Sequence, residues 1–260
     1  DDNYFNLEID GSGIKTLPTG NITVNGDLSL TEGSLNYNTG SSSKFVTLKG
    51  SVLGTGTITA STTSIFSISG DGTNQDIRGI SSDDIGVRLA NSANATTSGD
   101  ITCKYLDLLS SSTGTFTIDG ETVTINPTGG YLEMNGGDLT VSSGSLIINS
   151  TGTTTNELDA GTLTVSGGTV TFTGNNSTNT GGDFNIDGGT LTVSSGSISI
   201  NDQLLVGSGT INQTGGAIYV DAGTNNLNGT GGNKFDMATG SLNLSGGTFY
   251  SQSQASSDHK

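Results

Sequence analysis

A short three-part phrase recurs along this chain and constrains its fold more than any other feature. It is clearest in LEMNGGDLTVSSGSLII (132–148) and FNIDGGTLTVSSGSISI (184–200). Each copy contains three stretches in which apolar and polar residues alternate, separated by turns of Gly, Ser and Asn. Alternation with a period of two predicts β-strands that bury one face. A repeated three-strand unit predicts a solenoid, because each unit can bury that face only against its neighbours.

Less regular copies of the phrase cover most of the remaining chain. The clearest rungs fall at 132–148, 158–172, 184–200, 204–220 and 235–249. The differences in spacing fall in polar loops at 149–156, 173–182 and 222–233. The sequence therefore predicts an all-β fold, a right-handed parallel β-helix (β-solenoid) of roughly ten three-strand rungs, because parallel crossovers prefer the right hand. The alternative is an antiparallel β-sandwich, which also has short strands and frequent turns.

One domain accounts for nearly the whole chain. We assign 1–250 to a single β-solenoid domain and 251–260 to a polar C-terminal tail. The least regular stretch lies near 70–99, where acidic residues and both arginines interrupt the strand pattern. If any feature leaves the coil, we expect it to leave there.

The composition agrees with a thin solenoid and excludes several classes of function. Only 30% of the residues are hydrophobic, which is low for a compact globule but sufficient for a narrow coil. The formal net charge of −16 argues against binding to nucleic acid or to anionic membranes, which basic surfaces recognise. No apolar run reaches the roughly 18 residues of a membrane span, so we expect no membrane insertion. Cys103 is the single cysteine, and we expect it to be buried and inert.

Two phrases carry a resemblance to a known group of proteins. GGTLTVSSGSI (188–198) and ITVNGDLSLTEGSL (22–35) resemble the repeats of secreted bacterial surface proteins. These include autotransporter passengers, filamentous-haemagglutinin-like adhesins and large exported proteins of Bacteroidetes-like bacteria. The resemblance implies an exported β-helical stalk or adhesin at the cell surface. It contains no catalytic signature, so it assigns no functional residue.

Catalytic residues are hard to find in this sequence. Enzymes that cleave acidic polysaccharides need clustered carboxylates beside Arg, Lys or His. Acidic residues and arginines coincide at 71–88, where Asp76 and Arg88 are the candidates, whereas His259 lies in the polar tail. A solvated loop is the simpler interpretation of 71–88. We therefore expect no enzyme, and a polysaccharide-degrading activity is the least favoured alternative.

The same stretch contains one candidate calcium site. Asp71, Asn74 and Asp76 place oxygen ligands at close spacing around a glycine turn, as hard cations prefer. The spacing departs from that of an EF-hand, and the closing glutamate is missing. Asp and Asn also favour turns through hydrogen bonds to the nearby backbone, so a plain turn is the alternative. We expect no other cofactor.

Pairs of threonines flank inward apolar residues on several rungs. Thr162 and Thr164 on one rung, with Thr190 and Thr192 on the next, would form an outward array of hydroxyl and methyl groups. Such an array resembles the surface of ice-binding solenoids. The interpretation competes with the ordinary preference of threonine for exposed strand positions. Tyr219 is the outward aromatic residue that we consider as a platform for a polysaccharide.

The sequence predicts a structural role more readily than a chemical one. Strand signals run from Phe5 to Phe249, and we see no capping helix. Open ends of a coil invite pairing with further strands. We therefore expect a non-enzymatic extracellular segment of a bacterial cell-surface fibre or adhesin stalk, whose partners are neighbouring repeats or copies of itself. The alternative is a ligand-binding solenoid that recognises ice, a polysaccharide or another glycan or host-surface ligand.

Overall fold

The computed structural model describes residues 2–17, 20–38, 40, 42–126, 129–150, 155–173, 183–220 and 235–251. These residues form strands, turns and bends, and none of them is helical. The loops predicted at 149–156, 173–182 and 222–233 fall largely outside the described residues, and so does His259.

Most of the thirty strands contain three to five residues. In chain order they are β1 (Asp2–Tyr4), β2 (Leu7–Ile9), β3 (Ile14–Thr16), β4 (Ile22–Val24), β5 (Leu28–Leu30), β6 (Ser34–Asn36), β7 (Phe45–Leu48), β8 (Val52–Gly54), β9 (Thr57–Thr59), β10 (Ser64–Ile68), β11 (Asn74–Ile77), β12 (Ile85–Leu89), β13 (Asn94–Thr97), β14 (Ile101–Cys103), β15 (Tyr105–Leu108), β16 (Thr115–Ile118), β17 (Thr122–Ile125), β18 (Leu132–Met134), β19 (Asp138–Val141), β20 (Ser145–Ile148), β21 (Asn156–Leu158), β22 (Thr162–Phe172), β23 (Phe184–Ile186), β24 (Thr190–Ile200), β25 (Leu204–Val206), β26 (Thr210–Gln213), β27 (Ala217–Val220), β28 (Phe235–Met237), β29 (Ser241–Leu244) and β30 (Thr248–Ser251).

Successive strands fall in turn on three faces, as a coil of three-strand rungs requires. Face A has eleven strands in the order β1-β4-β7-β10-β12-β15-β18-β21-β23-β25-β28. Face B contains β2-β5-β8 and then β11-β13-β16-β19-β22-β24-β26-β29. Face C contains β3-β6-β9 and then β14-β17-β20-β22-β24-β27-β30. The paired strands are parallel, so the predicted β-solenoid is confirmed and the antiparallel β-sandwich is wrong.

A narrow apolar core runs along the inside of the coil. On face B, Leu139, Leu163 and Leu191 stand in register on consecutive rungs, and each is fully buried. Faces A and C contribute similar files of Leu, Ile, Val and Phe. Burial of this kind stabilises a fold by about 25 cal/mol per Å² of apolar surface. Cys103 is buried as predicted, and burial raises the pKa of its thiol to about 12, so the thiol stays protonated at neutral pH.

The corner between faces B and C differs from the sequence prediction. β22 and β24 each run for 11 residues through the positions at which turns were predicted. The register shifts between Val165 and Ser166 and again before Thr169, so the strand bends as a bulge while it stays paired. Gly196 suits this corner, because its φ is +71° and a Cβ there would collide with the carbonyl oxygen of Gly168.

The irregular stretch near 70–99 stays within the coil. β11, β12 and β13 pair in parallel with other strands of faces A and B. The irregularity lies on face C, where isolated bridges from Ile58 to Ile80 and from Ser81 to Thr102 stand in place of a full strand. In the predicted tail at 251–260, Ser251 ends β30 and the other residues lie outside the described part of the chain.

No helix in the described part of the chain is long and apolar enough to cross a membrane. The right hand of the coil and its exact number of rungs stay predictions.

Candidate functional site

Threonines form an outward row along face B that extends beyond the two rungs proposed from the sequence. Thr162 and Thr164 of β22 stand in register with Thr190 and Thr192 of β24, as the proposed array requires. The outward position that Thr164 and Thr192 occupy is a threonine on five consecutive rungs. These residues are Thr96, Thr117, Thr140, Thr164 and Thr192. Equivalent residues in such a sheet stand about 4.8 Å apart between rungs, and successive outward residues about 6.7 Å apart along a strand.

A parallel row on the same face is interrupted by an acidic residue. It contains Thr115, Asp138, Thr162, Thr190 and Thr210. The Asp138 carboxylate accepts a hydrogen bond from the backbone N–H of Thr162 at 2.9 Å, so this side chain supports the strand ladder. The two rows together form a hydroxyl-rich surface.

Two of the three candidate calcium ligands accept hydrogen bonds from different partners. Asp71 accepts a hydrogen bond from the Thr73 hydroxyl at 2.6 Å, and this bond lowers the pKa of the Asp71 carboxyl. Asn74 accepts one from the Thr96 hydroxyl at 3.1 Å, while Asp76 occupies the next outward position of β11. Among the described residues, no group of three His, Cys, Asp or Glu side chains could hold a metal ion. The calcium site stays a prediction.

Arg88 contacts a different acid from the one that the sequence suggested. It lies on face A, whereas Asp76 lies on face B, so the two candidate catalytic residues are not brought together. Arg88 Nε donates to Oδ2 of Asp107 at 2.9 Å, and the Asp107 side chain is only 6% exposed. Burial raises the pKa of the Asp107 carboxyl, the Arg88 guanidinium opposes that rise, and Glu133 adds to it.

An acceptor-rich row continues from this ion pair along face A. Asp107, Glu133, Glu157 and Asn185 stand in register on four consecutive rungs. They alternate with the inward residues of their strands, so their side chains lie on the outer surface. We call this set the acceptor row.

The two glutamates of the acceptor row are each held by a residue of their own strand segment. Oε1 of Glu133 accepts a hydrogen bond from Asn135 Nδ2 at 2.7 Å, and Oε1 of Glu157 accepts one from Thr155 Oγ1 at 2.6 Å. Both glutamates are half-buried. Tyr131, Glu133, Thr155 and Glu157 line an open groove of about 260 Å³, which we call the face A groove.

Tyr131, which lines the face A groove, stacks on a second tyrosine. The rings of Tyr105 and Tyr131, on adjacent rungs, have centroids 5.0 Å apart and planes within 9° of each other. The Tyr105 ring lies across Gly86, where a Cβ would collide with it, and this close approach leaves Tyr105 only 7% exposed. Tyr131 stays half-buried, and burial raises its pKa to about 12. Its neutral ring therefore gives the groove an aromatic side.

Two buried acceptors flank the glutamates. Oδ1 of Asp107 and Oδ1 of Asn185 are buried and have no hydrogen-bond partner among the described residues. Buried polar atoms are almost always paired, so such atoms need an explanation. One oxygen on each side of the Glu133–Glu157 pair therefore has no donor among the described residues.

Three acidic side chains, two of which line the groove, act on the carboxyl of Asp159. The pKa of Asp159 rises through its burial and through repulsion by Glu157, Asp187 and Glu133. Like charges opposite each other on neighbouring strands destabilise a sheet. In the described part of the chain, the Arg88 guanidinium is paired with Asp107 and not with these carboxylates.

The sequence analysis did not identify the face A groove. A signal was present, because YLDL (105–108) and YLEM (131–134) both place Tyr before Leu and an acid before the next apolar residue. Tyr219, which the sequence did suggest, has an in-register neighbour in Tyr250, and their ring centroids lie 6.5 Å apart on face C.

The first and last rungs differ at their inward positions. In the first rung, Asp2 and Lys15 stand in register with the buried Ile22 and Leu35. In the last described rung, residues in register with the inward side chains of the preceding rung are Phe235, Met237, Leu242, Leu244, Phe249 and Ser251. Met237 and Leu244 are 42% and 49% exposed. The first described rung therefore has charged residues at these register positions, and the last described rung has mostly apolar ones.

Comparison with known proteins returned no match to a family model, a curated protein or a solved structure. The β-solenoid fold rests on the strand pairing described above. The likeness to bacterial surface repeats rests on the quoted phrases alone.

Proposed function

We propose that this chain is a non-enzymatic structural segment of an extracellular bacterial surface fibre or adhesin stalk, and that its C-terminal end face seats a further solenoid turn. The observation that carries the proposal is the open apolar surface of β28, β29 and β30, where Met237 and Leu244 remain exposed. The likeness of the sequence to secreted surface repeats supports the extracellular setting.

The last rung is suited to a further rung of the same kind. Leu242, Leu244 and Phe249 offer apolar surface that an added rung would cover. Asn243 Nδ2 donates to Oδ1 of Asn212 at 2.8 Å, and the amide oxygen of Asn243 can accept a matching bond from the next rung. Parallel pairing would also satisfy the edge of each face.

The first rung is not suited to the same contact. Inward charged residues on an edge strand oppose pairing with another sheet. A head-to-tail stack of two copies would place Lys15 beside Phe249 and Asp2 beside Phe235, which would leave both charges in apolar surroundings. We therefore infer that isolated copies of the chain meet through their C-terminal end faces, where their apolar residues pack together and the strands of the two copies run antiparallel.

Sedimentation velocity over a range of concentrations tests this proposal, with electron microscopy of the same samples. We expect a reversible dimer joined end to end. Leu244→Lys should abolish the dimer, whereas Ile14→Lys, which changes an exposed residue of the first rung, should leave it intact. A strict monomer at high concentration, or a dimer that survives Leu244→Lys, would contradict the proposal.

The threonine rows of face B favour ice binding as the second candidate function. Uninterrupted threonines on five rungs present hydroxyl and methyl groups at regular spacing. Thermal hysteresis of the purified chain measures this activity. We expect Thr164→Lys to remove it and Thr124→Lys, on face C, to preserve it. Ice crystals that grow unaltered in the presence of the unmodified chain would exclude this function.

A further inference from the structure

The sheets of the coil are interrupted on two of its three faces at the same level, after the rung that contains β7, β8 and β9. On face B, β8 ends one sheet and β11 begins the next, while on face C one sheet ends at β9 and the next begins at β14. Face A continues through this level, because β10 pairs with β7 over four residues and with β12 over five. Residues 42–126 are all described, so the interruption lies within the described part of the chain. We call this level the junction.

Side chains replace the strand ladder at the junction on face B. The Ser51 hydroxyl accepts a hydrogen bond from the backbone N–H of Asp76 at 3.0 Å, and Nε2 of Gln75 donates to the carbonyl oxygen of Gly50. Gln75 is 1% exposed, and its Oε1 has no hydrogen-bond partner among the described residues. A buried polar atom without a partner costs stability, so it weakens the contact between these two rungs.

The apolar file of face B is also thin at the junction. Gly54 stands in register with the buried Leu30, has a φ of +89° and supplies no side chain to the core. On the next rung of this face the buried residues of β11 include Gln75, and the small Ala95 stands in register with it. Leucines fill the corresponding positions farther along the coil, so less apolar surface is buried at the junction than there.

On face C the rung after the junction contributes one bridge to each neighbour. The N–H of Ile58 donates to the carbonyl oxygen of Gly79 at 2.7 Å, and the N–H of Ser81 donates to that of Ile58 at 2.9 Å, which forms the bridge between Ile58 and Ile80. Ser81 in turn bridges to Thr102 on the following rung. Elsewhere on this face, β17 and β20 pair over four residues. The ladder that crosses the junction on face A is therefore its main backbone connection.

We propose that the N-terminal unit, which consists of β1 to β9, unfolds as one cooperative piece while the C-terminal unit, β10 to β30, stays folded. In a repeat protein the stability is approximately the sum of terms within repeats and between neighbouring repeats, so the chain opens at a weak interface. The N-terminal unit is also weakly held at its other end, because the strands of its first rung are exposed or half-buried. Its opening is a conformational device built into the coil.

The stalk proposed above gives this device a use. A pull along the coil axis loads the contacts between rungs, so the junction parts first and the chain lengthens while the C-terminal unit keeps its structure. This use rests on the proposed function, whereas the opening itself is a property of the isolated chain. Hydrogen exchange of the monomer tests the opening, and sedimentation tests the association of end faces, so the failure of one is distinguishable from the failure of the other.

Native-state hydrogen exchange, followed by mass spectrometry at urea concentrations below the unfolding midpoint, tests the proposal. We expect the amides of β4 to β9 to share one opening free energy and those of β12 to β27 to share a higher one. The urea dependence of exchange should be smaller for the first set, because its opening exposes less surface. A single opening free energy for both sets, or a boundary between them away from the junction, would overturn the proposal.

Two matched leucines of face B separate the two units. Leu28 of β5 and Leu163 of β22 both point inward and are at most 1% exposed. Leu28→Ala should accelerate exchange in β4 to β9 by at least about thirtyfold and leave β12 to β27 unchanged, whereas Leu163→Ala should accelerate exchange in β12 to β27 alone. If Leu28→Ala leaves the N-terminal unit unfolded, the C-terminal unit should keep its protection. Acceleration of both sets by either variant would show that the coil unfolds as one unit and would overturn the proposal.

Discussion

The inner file of face B and the outer acceptor row of face A both repeat one kind of side chain on successive rungs, with opposite consequences. Leu139, Leu163 and Leu191 stack in register and bury one another. Glu133 and Glu157 stand in the same kind of parallel register and repel each other. A parallel coil makes each residue the neighbour of its own counterpart, so repetition strengthens an apolar file and weakens a charged row.

The largest effect is expected from a break in the apolar file. Leu163→Ala should lower the free energy of unfolding by about 3 kcal/mol or more, because it leaves a cavity between Leu139 and Leu191. The neighbouring outward change Thr164→Ala should alter stability by less than about 0.5 kcal/mol. Urea denaturation of both variants measures the difference. Similar losses at the two positions would show that Leu163 does not lie in a packed interior.

A smaller loss is expected at the corner that joins faces B and C. Gly196→Ala should destabilise the chain by about 2 kcal/mol, because φ is +71° and a Cβ would collide with the carbonyl oxygen of Gly168. Gly13 is the matched control, with a φ of +89° and open space within 4 Å of the place that a Cβ would occupy. Gly13→Ala should cost only the backbone strain, about 1 kcal/mol. Thermal unfolding that ranks the two variants in the reverse order would argue against close contact of rungs at this corner.

A change in the acceptor row should act in the opposite direction. Glu157→Gln should raise the free energy of unfolding by about 0.5 kcal/mol, because it removes the repulsion from Glu133 and keeps an acceptor for Thr155. Glu8→Gln should leave stability unchanged. Denaturation at low ionic strength compares the variants, and a destabilised Glu157→Gln protein would mean that the row does not oppose folding.

The smallest expected effect lies in the pH dependence of stability, to which carboxyls with raised and with lowered pKa values contribute in opposite directions. The pKa values of Asp107 and Asp159 are raised, so their contribution to stability is present below the ordinary value of 3.8 and is lost as the pH rises through the raised values. Stability should therefore increase as the pH falls from neutral. The lowered pKa values of Asp71 and Asp119 have the opposite sign, so their contribution is lost as the pH falls below the ordinary range.

Urea midpoints measured across this range should therefore pass through a maximum in mild acid. The double variant Glu133→Gln with Glu157→Gln should flatten the rise on the neutral side, because both glutamates raise the pKa of Asp159. A midpoint that falls steadily from neutral pH would contradict the assignment of repulsion to this row.

The parts of the structure that depend on alternation were predictable from the sequence. Each segment in which apolar and polar residues alternate identifies its own inward residues. The core and the outward threonines of β22 and β24 were therefore found without knowledge of the pairing. The face A groove depends on which residues of distant segments stand side by side. Arg88 and Asp107 are 19 residues apart in the chain, whereas Leu132 and Asn156 are 24 apart, because loops of different length separate the rungs. Those loops conceal the register that brings the tyrosines and glutamates together.

Formation of a disulfide between rungs tests the central claim most directly, namely that residues at equal register positions on consecutive rungs are neighbours. The rows, the groove and the end faces all follow from this register. Thr164→Cys combined with Thr192→Cys places two thiols at Cα positions about 4.8 Å apart, within the range that a disulfide spans. Thr164→Cys combined with Thr190→Cys places them about 8 Å apart. We expect rapid intramolecular disulfide formation in the first pair and little in the second. Equal oxidation of both pairs, or oxidation of the second alone, would contradict the in-register coil.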